Sequence, residues 1–275
     1  MSNLVIIDIG AREGLHPRWN GLPIEAIGLD ADQEECDRLN AAGGDVRFLP
    51  YAVGKADGEP AVLNLTSGIS CSSLYQPNQK LLAPYWHRRY WQVERQVPLT
   101  LITLDTICER HGVRPDALKL DIQGAELAAL EGAENVLKNV LSVELEVAFQ
   151  ETYVGQPLFS DIDAFLRARG FSLTKLRTES WRRDTQTKSP HGATVLYGDA
   201  LYLHEGRLLA SPAKAMHIYR AYRLHDRTGD TVSQTWWQRA ISWAMEHTDG
   251  NYKTWRTWLD ACAFPAIRDF RDPDL

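Results

Sequence analysis

Residues 4–14 read LVIIDIGAREG, and residues 25–32 read EAIGLDAD. Each is an apolar run closed by an acid: Asp8 in the first, Asp30 in the second. Val5, Ile6 and Ile7 form a continuous apolar block, the pattern of a strand covered on both faces. The order predicts strand, loop, helix, strand, with a ligand held where the strands end, since open α/β sheets bind there. Gly10 and Gly14 are spaced G-x-x-x-G, and glycine admits positive φ and a close backbone approach. Arg12 stands where the second glycine of G-x-G-x-x-G would be, which argues against a pyrophosphate cradle.

A carboxylate beside the loop, Asp8, suits a ligand with a cationic amino group better than one with phosphates. Asp30 follows Gly10 by twenty residues, where an acid accepts both ribose hydroxyls. Together they point to S-adenosylmethionine, its amino-acid end at the first loop and its ribose at Asp30. The plain alternative is a strand-to-helix turn with a surface acid.

A chain of 275 residues holds one large domain, or one domain plus an extension. Its net charge of −6 leaves no footprint for nucleic acid. No run reaches the roughly eighteen apolar residues of a membrane span, and Asp8 interrupts any signal-like start. Cys36, Cys71, Cys108 and Cys262 lack metal-ligand spacing, so they read as reduced thiols of a cytoplasmic protein.

Period and punctuation place the remaining elements. Residues 33–42 predict a helix with Asp32 as N-cap, and 46–49 a third strand. Residues 51–54 predict a turn into a hairpin, with 55–59 as its bend and 61–65 as its arm. The serine-rich 66–79 reads as a loop over the site. Strands are expected at 92–103, 118–122 and 140–147, and helices at 104–111, 125–137 and 162–169. Residues 171–176 and 194–203 predict a last, antiparallel strand pair. This alternation predicts a doubly wound, Rossmann-like α/β sheet. Residues 211–275 carry five of the nine tryptophans, with helical spacing at Trp236, Ala240, Trp243 and Ala244. They read as a helical extension of a domain at 1–210. Its role is open between a lid, a homo-oligomer interface and helices closing a sheet edge.

Residues 118–133, LKLDIQGAELAALEGA, form a second constellation. Asp121 falls at the same sheet edge as Asp8 and Asp30. Gly124 allows a sharp turn, and Glu126 sits in the first turn of a helix, where the dipole favours an anion. Strand residues 142–147, SVELEV, put Glu144 and Glu146 on one face. Acids inside a covered strand are costly unless paired or working, and Lys119 is the expected partner of one of them.

The motifs IDIGAREG (7–14), GISCSSL (68–74), KLDIQGAE (119–126) with LEGA (130–133), and VELEVAF, YVGQPLF and DIDAFLRARGF between 143 and 171 resemble the FkbM family of S-adenosylmethionine-dependent methyltransferases. The resemblance spans about residues 4–203. It implies a class I methyltransferase sheet and methylation of hydroxyl groups on sugars or polyketide-derived products. The family usually has Asn where this chain has Arg12, and an acid where it has Gln123.

Methyl transfer is an in-line displacement, and alignment alone supplies up to about 7–11 kcal/mol; a positioned base adds roughly a hundredfold. Asp121 is the first candidate base or orienter, with Glu126 and Glu146 as alternatives. Each also has a structural reading: loop-fixing for Asp121, dipole satisfaction for Glu126, and pairing with Lys119 for Glu144. Cofactor contacts are assigned to Asp8, Gly10, Ala11, Arg12, Gly14, Asp30, Ala31, Ala52 and Asp121. Acceptor contacts are assigned to Ser70, Ser72 and Ser73, and to Trp86 and His87 of PYWHRRYWQ (84–92). There aromatic faces beside Arg88 and Arg89 suit a sugar or an anionic group, or else pack into the core. No metal is assigned, since no spacing demands one. The expected function is an S-adenosylmethionine-dependent O-methyltransferase of a sugar, glycan or secondary metabolite. Two competitors are a nicotinamide oxidoreductase, disfavoured by Arg12, and a non-catalytic glycan-recognition or assembly protein that keeps the fold.

Overall fold

The computed structural model describes residues 3–183 and 193–222. Trp236, Ala240, Trp243 and Ala244 of the Trp-rich stretch, together with Cys262 and the expected oligomer surface, lie outside the described residues.

The quoted opening run forms β1 (Leu4–Ile9) at the centre of a seven-stranded sheet. Its parallel neighbours are β2 (Ile24–Asp30) and β7 (Ala117–Leu120). Beyond β2 lies β3 (Arg47–Pro50), and beyond β7 lies β8 (Ser142–Ala148), both parallel. Then β10 (Ala193–Leu203) pairs antiparallel with β8, and β9 (Ser172–Arg182) closes that edge antiparallel to β10. The order 3-2-1-7-8-10-9 is the doubly wound sheet with an antiparallel last pair that the alternation predicts, β10 being the strand that runs against the rest. The crevice falls at β1, where the strand order turns back.

Helices follow their punctuation. In α1 (Gln33–Ala41), the Asp32 carboxylate caps the N–H groups of Glu34 and Glu35, satisfying donors a helix start leaves orphaned. Gly112, at φ +63°, ends α3 (Leu104–His111). The others are α2 (Gln79–Leu82), α4 (Glu126–Glu131), α5 (Phe159–Arg167), α6 (Glu205–Ala210) and α7 (Pro212–Tyr222).

Several local expectations are corrected. No α-helix joins β1 to β2: one 3-10 turn, Pro17–Trp19, stands there, because Gly14, Pro17, Gly21 and Pro23 break any longer helix. The expected 51–65 hairpin does not form. Instead β4 (Ala52–Val53) pairs parallel with β6 (Val93–Ile102), and β5 (Pro60–Thr66) pairs antiparallel with β6 in a separate three-stranded sheet. The expected 125–137 helix divides at Gly132 into α4 and a 3-10 turn, Val136–Lys138. A Cβ at Gly132 would lie 2.2 Å from the Gly54 carbonyl oxygen, so this close approach requires glycine. The 66–79 stretch holds a 3-10 turn, Ile69–Cys71, and an antiparallel bridge from Ser73 to Asn64.

The central strands have unlike faces. Ile7, Ile9, Leu118, Leu120, Val143 and Leu145 point into the main core with Leu104, Leu130 and Leu166. The opposite face carries Asp8, Lys119 and Glu144 in register across β1, β7 and β8. It is covered by the Pro17–Trp19 turn and by α7. Trp19 meets Tyr222 edge-on at 5.6 Å, and Lys214 pairs with Asp116 at 2.8 Å. The compact unit runs from Met1 to Tyr222, so α7 belongs to it.

Candidate active site

The ends of β1, β2 and β7, with the small sheet as a wall, enclose a cleft of about 260 Å³. Its lower rim is built from the first glycine loop. Gly10 sits at φ +83°, and a Cβ there would fall 2.0 Å from the Asp121 carbonyl oxygen. The loop therefore passes flush against the end of β7, which only glycine allows. The N–H groups of Gly10 and Ala11 both donate to the Leu29 carbonyl, at 2.8 and 3.0 Å. They are spent inside the fold and cannot cradle phosphates, in line with the absent second glycine.

Asp30 and Ala31 line the cleft at the end of β2. Asp30 Oδ1 accepts the Asp32 N–H at 2.8 Å, which fixes the carboxyl group and leaves Oδ2 without a donor among the described residues. Burial pushes the Asp30 carboxyl above its ordinary range, against the pull of that hydrogen bond and of Arg12. Arg12 lines the cleft and holds Asp32 at 3.1 Å, so it braces the rim from a position where it also reaches the opening.

The upper rim is Asp121, Ile122 and Gln123. The Asp121 side chain is 45% exposed and lies 3.7 Å from Lys119 Nζ. Its Oδ1 accepts from Gln123 Nε2 at 3.0 Å. Gln123, at φ +55°, is held from three sides. Ser73 Oγ donates to its carbonyl at 2.6 Å, Tyr153 Oη donates to its side-chain oxygen at 3.0 Å, and its amide reaches Asp121. Buried Tyr153 shares that one hydroxyl hydrogen with the Cys71 carbonyl, at 2.8 Å, and accepts from Trp91 Nε1 at 3.1 Å. The serine loop and the β7 turn are thus tied through one phenol.

The far wall is Leu63 and Leu65 of β5, with Ile69, Ser70, Ser72 and Leu74; Tyr51, Ala52 and Val53 complete it. Gly10, Arg12, Asp30, Ala31, Ala52, Ser70, Ser72 and Asp121 thus meet at one cleft. Other assigned residues lie elsewhere. Asp8 is 1% exposed and paired with Lys119 at 3.2 Å. Ala11 packs into a small core with Cys36 and Phe48. Gly14 turns the loop at φ +105° behind the rim. Ser73 is buried under Gln123. Trp86 and His87 lie on a separate 3-10 helix, Trp86–Trp91.

Of the other two candidate bases, Glu126 is buried and Glu146 is half-buried. Buried Glu126 accepts the N–H groups of Ile122 and Gly124, both at 2.9 Å, so it staples the turn that presents Asp121. Burial pushes its carboxyl up to about 7. Glu146 is pushed well above the carboxylate range by burial and by the charges of Asp121, Glu126 and Asp199. Lys119 does not form the expected ion pair with Glu144. It turns to Asp8, while Arg18 and Tyr222 Oη take the Glu144 carboxylate. Burial raises both Asp8 and Glu144, against the pull of these cations.

Sequence reasoning missed Glu13, Tyr51, Leu63, Leu65 and Gln123 as cleft residues. The alternation of Leu63 and Leu65 in β5 and the departure from the family at Gln123 were the available signals.

A mainly parallel seven-stranded sheet with an antiparallel end pair, and a cleft with a fixed acid at the end of β2, defines a Rossmann-like methyltransferase. The FkbM methyltransferase domain matches residues 9–173, and the chain belongs to that family. Solved structures similar to it include magnesium protoporphyrin IX methyltransferase from Synechocystis with bound S-adenosylmethionine (13% identity, 72% of this chain and 70% of that one, TM-score 0.32). Others are a putative RNA methyltransferase from Pyrococcus horikoshii (12%, 73% and 74%, TM-score 0.35) and a TehB-like methyltransferase from Corynebacterium glutamicum (13%, 74% and 82%, TM-score 0.34). No curated protein sequence matches. The cofactor is S-adenosylmethionine, and the residues present fit it: Asp30 offers a fixed carboxyl oxygen for ribose hydroxyls, and no amide cradle for phosphates is left in the loop.

Proposed function

We propose that this protein is an O-methyltransferase acting on a hydroxyl of a sugar, glycan or secondary metabolite. The observation that carries the reading is Asp121, the exposed carboxylate of the β7 turn, on a cleft walled by the hydroxyls of Ser70 and Ser72. When bound, the cofactor supplies a methyl group activated by a sulfonium.

The protein's own residues divide the remaining work. Asp30 binds the ribose hydroxyls and the Gly10 turn seats the amino-acid end, with Arg12 at its rim. Leu63, Leu65, Leu74 and Ile122 exclude water from the cleft. Ser70 and Ser72 hold the acceptor. Asp121 takes the hydroxyl proton onto its carboxylate as the oxygen is methylated, and Gln123 keeps that carboxylate from swinging away. Such a base is worth roughly a hundredfold or more. Three buried free thiols, Cys36, Cys71 and Cys108, fit a cytoplasmic protein. No helix of the described residues is long and apolar enough to cross a membrane.

Calorimetry tests the cofactor half. S-adenosylhomocysteine should bind and NAD should not, and Asp30→Ala should weaken binding by about 10–100-fold, since a hydrogen bond to a charged group contributes about 1.5–3 kcal/mol. A radiolabelled methyl-transfer screen over glycosides and hydroxylated metabolites tests the acceptor half. Transfer only to nitrogen or carbon acceptors would end the O-methyl reading. Cofactor binding with no transfer to any acceptor would favour the glycan-recognition alternative.

A further inference from the structure

The 3-10 helix Trp86–Trp91 carries a feature that the methyl-transfer cleft does not use. Trp86, Arg88, Arg89 and Gln92 line an open depression of about 350 Å³, and no acid is among them. Arg89 lies 4.1 Å over the Trp86 ring and 4.8 Å over the Tyr90 ring. Its Nη2 donates to Tyr90 Oη at 2.8 Å, and no carboxylate pairs with it among the described residues. A guanidinium has five donors in a rigid plane, and stacking leaves its edge for in-plane acceptors. The chain has a net charge of −6, yet among the described residues no acid pairs with Arg89.

The depression is joined to the cleft by a tight seam. Ser67 Oγ donates to the Arg89 carbonyl, and the Gly68 N–H donates to the Tyr90 carbonyl at 2.9 Å. A Cβ at Gly68 would stand 2.8 Å from Tyr90 Cβ. The same loop continues into Ile69, Ser70 and Ser72 of the cleft wall. Beneath it, Trp91, Tyr153 and Trp181 form a buried aromatic cluster, so the platform is rigid.

We propose that this depression is a subsite for an anionic group, a carboxylate or a phosphate monoester, carried on the acceptor sugar. The assignment rests on the methyltransferase reading of the adjoining cleft. Planar guanidiniums bind both oxyanions through paired hydrogen bonds.

The test uses the full chain saturated with S-adenosylhomocysteine and follows the tryptophan indole signals by nitrogen–proton NMR, with Trp86→Phe identifying the Trp86 signal. The probes are glucuronate, glucose 1-phosphate, glucose and inorganic phosphate. The Trp86 signal should shift saturably with one or both charged sugars, the tighter one naming the oxyanion, and not with glucose. Arg89→Ala should weaken that binding roughly tenfold or more, with Arg89→Gln as the second variant should Arg89→Ala unfold. Equal binding of glucose, unchanged affinity in both Arg89 variants, or inorganic phosphate binding as tightly as glucose 1-phosphate would overturn the subsite. Failure of wild-type protein to bind S-adenosylhomocysteine would strike the methyltransferase reading instead, and the sugar titrations of the unliganded chain would still decide the subsite.

Discussion

Asp8 and Asp121 come from neighbouring central strands of one sheet, and both flank Lys119, yet their surroundings are opposite. Asp8 is 1% exposed and paired at 3.2 Å. Asp121 is 45% exposed in its side chain, and the same lysine is 3.7 Å away. Glu144 and Glu126 side with Asp8: both are buried, one held by Arg18 and Tyr222, the other by two backbone N–H groups. The difference separates acids that hold the fold from one that meets the cleft. It also explains why residue type alone put Asp8, Glu126 and Asp121 together as candidates.

The largest expected effect breaks the buried group. Lys119→Met leaves Asp8 in the interior without its cation, and loss of one partner of a buried pair typically costs about 3–5 kcal/mol. Urea unfolding should show a fall of that order. Asp8→Asn combined with Lys119→Met should recover most of it, since the two sites are in contact and their effects do not add. A loss below about 1 kcal/mol for the single change would mean that the buried acid is held some other way, and the contrast with Asp121 would dissolve.

Much of this contrast was legible from sequence only in part. The runs ending at Asp8 and Asp30 announced β1 and β2, because strands buried on both faces have little freedom of composition. Of the two acids of β8, Glu144 has a cation beside it, as acids in a covered strand require. That partner is not legible in the sequence: Arg18 comes from a turn far away in sequence, and the register sets Lys119 directly between Asp8 and Glu144. The true pairing of 51–65 is not legible because β4 is two residues long, too short for any period. The local turn at 55–59 also looks the same whether the next strand pairs backward or forward. Leu63 and Leu65 reached the cleft only through that unforeseen pairing with β6.

A smaller effect sharpens the contrast through pH. Burial holds the Glu126 carboxyl at about 7, above its unfolded value. An acid raised in this way binds a proton on folding. Its stabilising contribution is full below the unfolded value, near 4.5, and is lost as pH climbs through the folded one. The integrated change is about 3 kcal/mol as an order of magnitude. Wild-type stability should therefore decline between about pH 4.5 and 7 relative to Glu126→Gln, whose side chain does not titrate. Parallel melting-temperature curves for the two proteins across that window would remove Glu126 from the buried, raised group.

The smallest expected effect on stability belongs to Asp121→Asn. An exposed pair is worth about 0–1 kcal/mol, and surface changes usually stay within about 0.5 kcal/mol. Asparagine keeps a side-chain oxygen able to accept from Gln123 Nε2, so the chain of bonds from Gln123 through Tyr153 to Cys71 has no reason to break. What asparagine cannot do is take a proton from an acceptor hydroxyl. Unfolding and S-adenosylhomocysteine affinity should be nearly unchanged, while transfer to an acceptor found in the methyl screen falls roughly a hundredfold or more. Full retained transfer would remove Asp121 as the base. A stability loss above about 2 kcal/mol would instead put it with Asp8 among the acids that hold the fold.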